Sequence, residues 1–353
     1  MGNNIIQEDI KNIANEPLAW TKLEGKNILI TGATGFLASY IVKTLLHLND
    51  RLFKKKAKIL ALIRDINKVR KLYARYVTRD DVKFILKDIA TPFDLNESVD
   101  YIIHAASPAS SLRFGTDPVG TLKANTLGTA SLLDIAQKNK IEKFLFFSSG
   151  EVYGTIGNEV VCADETYTGN VNFLDVRSCY AESKRMGENM CVCWNYQYNI
   201  PVNIIRVGYT YGPGMSLSDD RVVADFVEKV VNNKNIVLNS DGSAKRSFCY
   251  VTDTIVAVFL VLLKGNNGEV YNAASDVQTS ILDLAKVLIN LYPGKGLSIE
   301  FAENKYRQNY LRSQRRNTLV CTEKIKELGW DRKVNIEAGL KRMIGSYLIN
   351  EQI

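Results

Sequence analysis

A doubly wound, Rossmann-type parallel α/β sheet, completed by a smaller mixed α/β C-terminal lobe, is the fold predicted by three features of the sequence. Strand-like and helical stretches alternate from about residue 27 to residue 207. A glycine-rich turn joins the first strand to the first of these helices. After Gly212-Pro213-Gly214 the alternation gives way to helices separated by short strands. Alternation at this spacing requires right-handed crossovers between parallel strands.

In chain order, Ile6, Ile10 and Ile13 recur at helical spacing, so residues 1–24 are read as an amphipathic helix docked on the domain that begins at Gly25. Residues 25–207 are read as a dinucleotide-binding domain and 208–353 as a substrate-binding lobe. Strands are expected near 27–31, 57–63, 82–86, 100–104, 143–148 and 202–207, with helices near 36–48, 66–75, 117–138 and 179–198. Past Gly214, helices are expected near 219–232, 251–264, 279–291 and 335–348. Strand ends at 31, 64, 88, 104 and 149 would converge on the carboxyl edge of the sheet, where ligands bind such folds.

The first strand, Asn27-Ile28-Leu29-Ile30-Thr31, runs into Gly32-Ala33-Thr34-Gly35-Phe36-Leu37-Ala38. Gly32 and Gly35 allow a tight turn and close approach of backbone N–H groups to a pyrophosphate. Ala38 is small enough for helix and strand to pack closely, and the helix N-terminus favours phosphate charge. The strand–turn–helix context is the one this motif requires.

Two further motifs carry chemistry. Ser149, in Ser148-Ser149-Gly150-Glu151, follows the strand-like run Lys143–Phe147. Tyr180 and Lys184 stand four apart on a helix and project from one face. A lysine ammonium beside a phenol favours the phenolate, and a serine at a strand end can orient a substrate hydroxyl toward it. The trio suits removal of a proton from an alcohol whose hydride leaves for a cofactor.

Thr31-Gly-x-x-Gly35-x-x-Ala38, Ser149 and Tyr180-x-x-x-Lys184 resemble the extended short-chain dehydrogenase/reductase superfamily, in particular its nucleotide-sugar epimerases and dehydratases. The resemblance runs from about Gly25 to Leu348. It takes in Asp88-Ile89, His104-Ala105-Ala106-Ser107, Asn125, Arg206 to Pro213, Asp220-Arg221-Val222-Val223, Arg246-Ser247-Phe248 and Leu328-Gly329-Trp330. Within the superfamily, UDP-glucuronate decarboxylases look most similar, through Arg177-x-Cys179-Tyr180-x-Glu182-x-Lys184-Arg185 and Asp220–Val223. The resemblance implies a cofactor site of Gly32, Thr34, Gly35, Phe36, Leu37, Arg64, Asp88, Ile89, Ala105, Ala106, Ser107, Asn125, Tyr180 and Lys184. It implies a catalytic set of Ser149, Glu151, Tyr180 and Lys184. Substrate contacts would come from Ser107, Ser149, Gly150, Tyr209, Arg221 and Arg246, the two arginines meeting the diphosphate. It also implies a homodimer paired through the helices near 117–138 and 179–198.

Cofactor identity stays open between NAD and NADP. Arg64, closing the second strand, could pair with a 2′-phosphate, whereas Asp65 could take the ribose; enzymes that recycle a tightly held cofactor resemble NAD binders, which tilts the reading to NAD. Asp88 would lie beside the adenine amino group, or form only a turn. The reaction hinges on Glu151. In similar 4,6-dehydratases an Asp-Glu pair supplies an acid and a C5 base, and here Gly150 holds the acid's place. Decarboxylation needs no such acid, because a 4-keto uronate is a β-keto acid. The preferred reading is decarboxylation of UDP-glucuronate through a 4-keto intermediate. Dehydration or epimerisation of another nucleoside-diphosphate hexose, NADPH-dependent 4-ketoreduction and a non-catalytic dinucleotide sensor are the alternatives. Two departures bear on the substrate: Tyr209 stands where the pattern carries a phosphate-contacting asparagine, and Arg315-Arg316-Asn317-Thr318 replaces an Arg-x-Pro-Asp sequence.

Other classes are set aside. No stretch approaches the roughly 18 to 20 apolar residues needed to span a bilayer, and the N-terminus lacks a secretory signal. Two histidines, His47 and His104, argue against a zinc site, so no metal is expected. The six cysteines lack metal-finger or small-scaffold spacing and are read as reduced, packed thiols of a cytoplasmic protein. The formal charge of +7 includes Lys54-Lys55-Lys56 and Arg312, Arg315 and Arg316 without interleaved aromatics, which excludes a nucleic-acid partner and leaves the arginines for an anionic substrate.

Overall fold

The computed structural model describes residues 4–157, 159–302 and 319–348. Seven parallel strands form the central sheet: β1 (Asn27–Thr31), β2 (Lys58–Ile63), β3 (Val82–Leu86), β4 (Tyr101–His104), β5 (Lys143–Ser149), β6 (Val202–Val207) and Val270–Ala273. Their spatial order is Val270–Ala273, β6, β5, β4, β1, β2, β3. The strands at the centre read as near-continuous apolar runs because both faces are covered. Alternate residues divide between two cores: Ile28, Ile30, Ile59, Ala61, Ile103 and Leu145 enter one, and Leu29, Leu60, Leu62, Ile102, Phe144 and Phe146 the other.

Helix α1 spans Asn4–Ala14 and α2 Phe36–Arg51; α3 (Ile66–Leu72) starts at Asp65, whose carboxylate accepts the Asn67 amide. A short helix, α4 (Ser111–Thr116), lies between β4 and the long α5 (Pro118–Asn139), which has Asp117 as its cap and Pro118 in its first turn. The partner of α5 on that face is α6 (Cys179–Tyr198), which stops where Asn199 turns left-handed with φ 55°. Beyond β6 come α7 (Val222–Val231) and α8 (Val251–Lys264), a buried core helix as its apolar composition predicts.

The expected N-terminal helix is anchored by a buried charge. Asp9 accepts hydrogen bonds from Arg342 (2.7 Å) and Tyr250 (2.9 Å), tying α1 to the C-terminal helix Ile336–Leu348 and to the start of α8. The strand Val270–Ala273 joins the main sheet from beyond residue 207, in register with β6. Short strands were expected between the C-terminal helices, but the place of this one in the main sheet was not foretold, nor was α4.

One expectation is corrected. Cys162 and Cys321 form a disulfide across 159 residues of sequence, while Cys179, Cys191, Cys193 and Cys249 are free thiols. The pairing follows from tertiary structure: the Ala163 amide donates to Leu319 (3.1 Å) and the Cys321 amide to Ala163 (2.9 Å), which brings the neighbouring cysteines together. Spacing along the sequence carries no trace of that contact. Among the described residues no helix is long and apolar enough to cross a membrane. Arg312, Arg315, Arg316 and the Arg315–Thr318 departure lie outside the described residues.

Candidate functional site

The strand order reverses at β1, between β2 and β4, and the crevice at such a switch point is where α/β sheets bind ligands. Gly32 leaves β1 with φ +66°, and a Cβ on it would lie 2.7 Å from Ala106 Cα. Only glycine permits the loop after β1 to touch the loop after β4. The Ala106 amide donates to Thr31 Oγ1 at 3.0 Å, and the Gly35 amide to the Gly32 carbonyl at 2.7 Å. Gly35 then opens α2, a helix of 16 residues with no side-chain cap. A cradle that a single methyl group would fill, aimed along a long helix N-terminus, fits a dinucleotide pyrophosphate. Thr34, Phe36 and Leu37 are half-buried around it, and Ala38 is buried against the sheet.

Behind this loop His104 is fully enclosed. Thr31 Oγ1, already accepting from Ala106, donates to Nδ1 (2.9 Å), and Nε2 donates to Thr129 Oγ1 (3.1 Å), whose hydroxyl goes on to the Asn125 carbonyl (2.6 Å). Each oxygen's remaining role thus places the proton on Nε2. Burial depresses His104 to about 3, so it is a neutral brace. Asn125, expected near the cofactor, is also enclosed, and its amide donates to Ser183 (2.9 Å) between α5 and α6. Ile89 is buried against Gly128. Arg64 and Asp88 are exposed at the ends of β2 and β3. The Asp88 carboxylate accepts the Ala90 amide (3.0 Å), the turn geometry allowed for in the sequence.

The remaining candidates share one cleft of about 550 Å³. Leu37, Ala105, Ser107, Ser149, Gly150, Glu151, Tyr180, Lys184, Tyr209, Arg221 and Arg246 all line it. Ser149 ends β5 and caps the next turn through the Glu151 amide (3.2 Å). Burial pushes the Tyr180 phenol up to about 12, opposed by the nearby Ser149 hydroxyl and more weakly by Arg221. Burial pushes Lys184 down to about 7, and its Nζ donates to the Phe147 carbonyl at 2.6 Å, 5.9 Å from the Tyr180 ring centre. Desolvation is the largest influence on both groups, and Ser149 is the neighbour that most favours the phenolate. The Ser107 hydroxyl is buried in the cleft near the Tyr180 phenol, a polar group placed to meet a ligand.

On the opposite wall, Arg221 is held by Asp219 at 2.8 and 2.9 Å. The Arg246 guanidinium lies 5.4 Å from the ring centre of Tyr209. A Cβ added to Gly150 would meet nothing within 4 Å.

The supporting roles of several residues escaped the sequence reading. Arg206 grips Glu188 in a two-point contact (2.9 and 2.7 Å), donates to Tyr153 (2.9 Å), and the same glutamate accepts from Ser148. Glu188 lies four residues beyond Lys184, a helical-face signal that could have found it. Arg177, two residues before α6, pairs with Glu151 at 3.1 Å. Phe114 of α4 stacks on Tyr180 with ring centres 4.8 Å apart and planes 19° from parallel.

Residues 28–274 match the NAD dependent epimerase/dehydratase family. The chain is 32% identical over 327 residues to UDP-glucuronic acid decarboxylase 2 of Arabidopsis thaliana, covering 92% of this chain and 69% of that protein. It is 31% identical over 319 residues to UDP-glucuronic acid decarboxylase 1 of Xenopus tropicalis, covering 90% and 71%. The fold is similar to the crystal structure of UDP-glucuronic acid 4-epimerase from Bacillus cereus in complex with UDP-glucuronic acid and NAD. There the TM-score is 0.76 at 22% identity, over 93% of this chain and 100% of that one.

Proposed function

The chain belongs to the NAD dependent epimerase/dehydratase family, and from that premise we propose that it decarboxylates UDP-glucuronate through a 4-keto intermediate. The observation that carries this reading is the convergence of Ser149, Tyr180, Lys184 and Glu151, with an open position at Gly150, in one cleft at the sheet's switch point. Bound NAD would supply the hydride acceptor for C4 and return the hydride at the end. The Gly32–Leu37 turn and Ser107 would hold it, with Lys184 anchoring its ribose, and Arg64 and Asp88 stand at the outer strand ends for the adenosine half.

Tyr180 takes the C4 hydroxyl proton while Ser149 orients that hydroxyl. Oxidation at C4 makes the C6 carboxylate a β-keto acid. The C5–C6 bond then breaks, its electrons pass toward the C4 carbonyl, carbon dioxide leaves, and the enolate takes a proton from water at C5 in place of the carboxyl; when C4 is reduced again, Tyr180 returns its proton to the C4 oxygen. Glu151 faces the C5–C6 side of the ring in this assignment. Gly150 argues against dehydration: a side chain would fit there, yet the position offers no acid to protonate a leaving hydroxyl. Arg221 and Arg246 bind the diphosphate, and Tyr209 backs Arg246 in place of a direct amide contact. Residues 208–353 supply the substrate side of the cleft in this reading, apart from Val270–Ala273, which belongs to the main sheet.

A homodimer is part of this proposal. Val119, Leu122 and Leu127 on α5, with Met186 and Val192 on α6, leave an apolar face exposed that two copies could pair. A cytoplasmic location is part of it too, on the ground that an anionic nucleoside diphosphate sugar does not cross a bilayer unaided; the Cys162–Cys321 disulfide is the observation that opposes it. Incubation of purified protein with UDP-, dTDP-, GDP- and CDP-sugars, read by product mass, tests the reaction. Loss of carbon dioxide from UDP-glucuronate is expected. Loss of water, or a product of unchanged mass and altered chromatography, would replace this reading with dehydration or epimerisation.

A further inference from the structure

Arg177 is a cleft cation for which neither the oxidation chemistry nor diphosphate binding accounts. It sits in the short turn Val176–Ser178 that leads into α6. Its Nη2 donates to Glu151 Oε2 at 3.1 Å, with the two side chains only 13% and 17% exposed. Its guanidinium carbon lies 5.2 Å from the ring centre of Phe114. The same ring stacks on Tyr180 and is 4% exposed. Phe114 in turn is fixed by α4, whose first turn is docked on the loop before α7: Ser110 Oγ and the Leu112 amide both donate to Asp220 Oδ2, at 3.1 and 2.8 Å. One planar cation therefore touches the carboxylate beside Ser149 and the ring that backs the catalytic phenol.

We propose that Arg177 is a positioning residue for both groups that act on the sugar. Its ion pair sets Glu151 against the C5–C6 side of the substrate ring, and its seat on Phe114 keeps the Tyr180 ring aligned with the C4 hydroxyl. The assignment rests on the nucleotide-sugar reading above. Lysine would supply the charge without the planar face, so the two duties separate by substitution. Among the described residues, the other charged or titratable groups lining the same cleft are Tyr180 and Lys184 on α6, Arg206 on β6, Tyr209 just beyond it, Asp220, Arg221 and Asp225 around the start of α7, and Arg246. None of them is changed in the test.

Arg177→Gln, Arg177→Lys and Phe114→Leu are compared with the parent protein for pH dependence of kcat, for KM, and for titration of the carbon-13-labelled Glu151 carboxyl, assigned by its disappearance in Glu151→Gln. Loss of the opposite charge should move the acid limb of kcat and the Glu151 titration to higher pH by about one unit in Arg177→Gln. Its kcat should fall roughly tenfold to a hundredfold with KM changed less than about twofold. Arg177→Lys should restore the acid limb and the titration but only part of kcat. Phe114→Leu should lower kcat and leave the acid limb where it was. An unmoved acid limb together with an unmoved Glu151 titration in Arg177→Gln would overturn the proposal, as would a loss expressed in KM alone. Should the parent protein turn over no nucleotide sugar, the proposed reaction fails, and the Glu151 titration alone then decides whether Arg177 positions that carboxylate.

Discussion

Replacing Gly32 by alanine puts one methyl group into the tightest backbone approach at the site. The added carbon would sit 2.7 Å from Ala106 Cα and 3.0 Å from Ala106 N, on a residue with φ +66°. Ordinary carbon contacts lie at about 3.5–4.0 Å, so the loops after β1 and β4 must part by close to an ångström. The neighbour is backbone and cannot swing aside as a side chain would. Left-handed backbone costs an alanine about 1–2 kcal/mol, and overpacking adds about 1–3 kcal/mol. The combined loss is about 3 kcal/mol, which for a chain of 353 residues corresponds to a melting temperature lower by about 4 °C. The same displacement misaligns the amides meant for the pyrophosphate, and losing one charge-assisted hydrogen bond of about 1.5–3 kcal/mol weakens NAD binding roughly tenfold to a hundredfold. Gly150→Ala is the matched control. Nothing lies within 4 Å of its added carbon, so melting and NAD affinity should stay near the parent values. Calorimetric titration with NAD and thermal melts measure both quantities. If Gly32→Ala bound NAD with parental affinity and melted with the control, the argument for a cofactor cradle at this turn would fail.

Three further outcomes are expected from the same geometry. Tyr180→Phe should keep NAD affinity and fold while turnover drops by about 10² to 10⁴, the span of a lost general base, as judged by steady-state kinetics beside calorimetry; retained turnover would remove Tyr180 from the chemistry. His104 is held neutral with a pKa of about 3 against an ordinary 6.5, so the unfolded chain takes up its proton first and stability is lost as pH falls from 6.5 toward 3. The full loss is on the order of 5 kcal/mol, and melts of His104→Gln across this range should show a shallower acid slope than the parent. The Cys162–Cys321 bridge closes a loop of 159 residues, for which chain entropy gives up to about 5 kcal/mol. Thiol titration of the unfolded, unreduced protein should find four thiols, as the free cysteines require, and reduction should lower the melting temperature; six thiols without reduction would contradict the pairing.

What the sequence disclosed and what it withheld divide along physical lines. The central strands and the helices around them were legible because burial on both sheet faces writes continuous apolar runs, as in Lys58–Ile63, against the helical periodicity of α2 and α6. The glycine turn was legible because its geometry tolerates few residue types. Ser149, Glu151, Tyr180 and Lys184 were legible as a spacing, and the fold brings them into one cleft. Less was legible where a partner comes from far away. The Cys162–Cys321 bridge depends on a contact between segments that share no periodicity. Asp9 reads as an ordinary polar residue on an amphipathic helix until Arg342 and Tyr250 arrive from the other end of the chain. Arg177 was visible as a letter in a motif, whereas its role depends on α4, a helix of six residues too short for periodicity to declare. Spacing tells that Tyr180 and Lys184 are neighbours, whereas the burial that weighs on the protonation state of each comes only with the fold.

The most direct test of the central claim uses UDP-glucuronate deuterated at C4. If the sugar is oxidised at C4, decarboxylated and reduced again without leaving the cleft, the product has lost the mass of carbon dioxide and keeps its deuterium at C4, with no net consumption of NAD. A product that has exchanged the deuterium for solvent hydrogen, or one that keeps the carboxylate, would contradict the account.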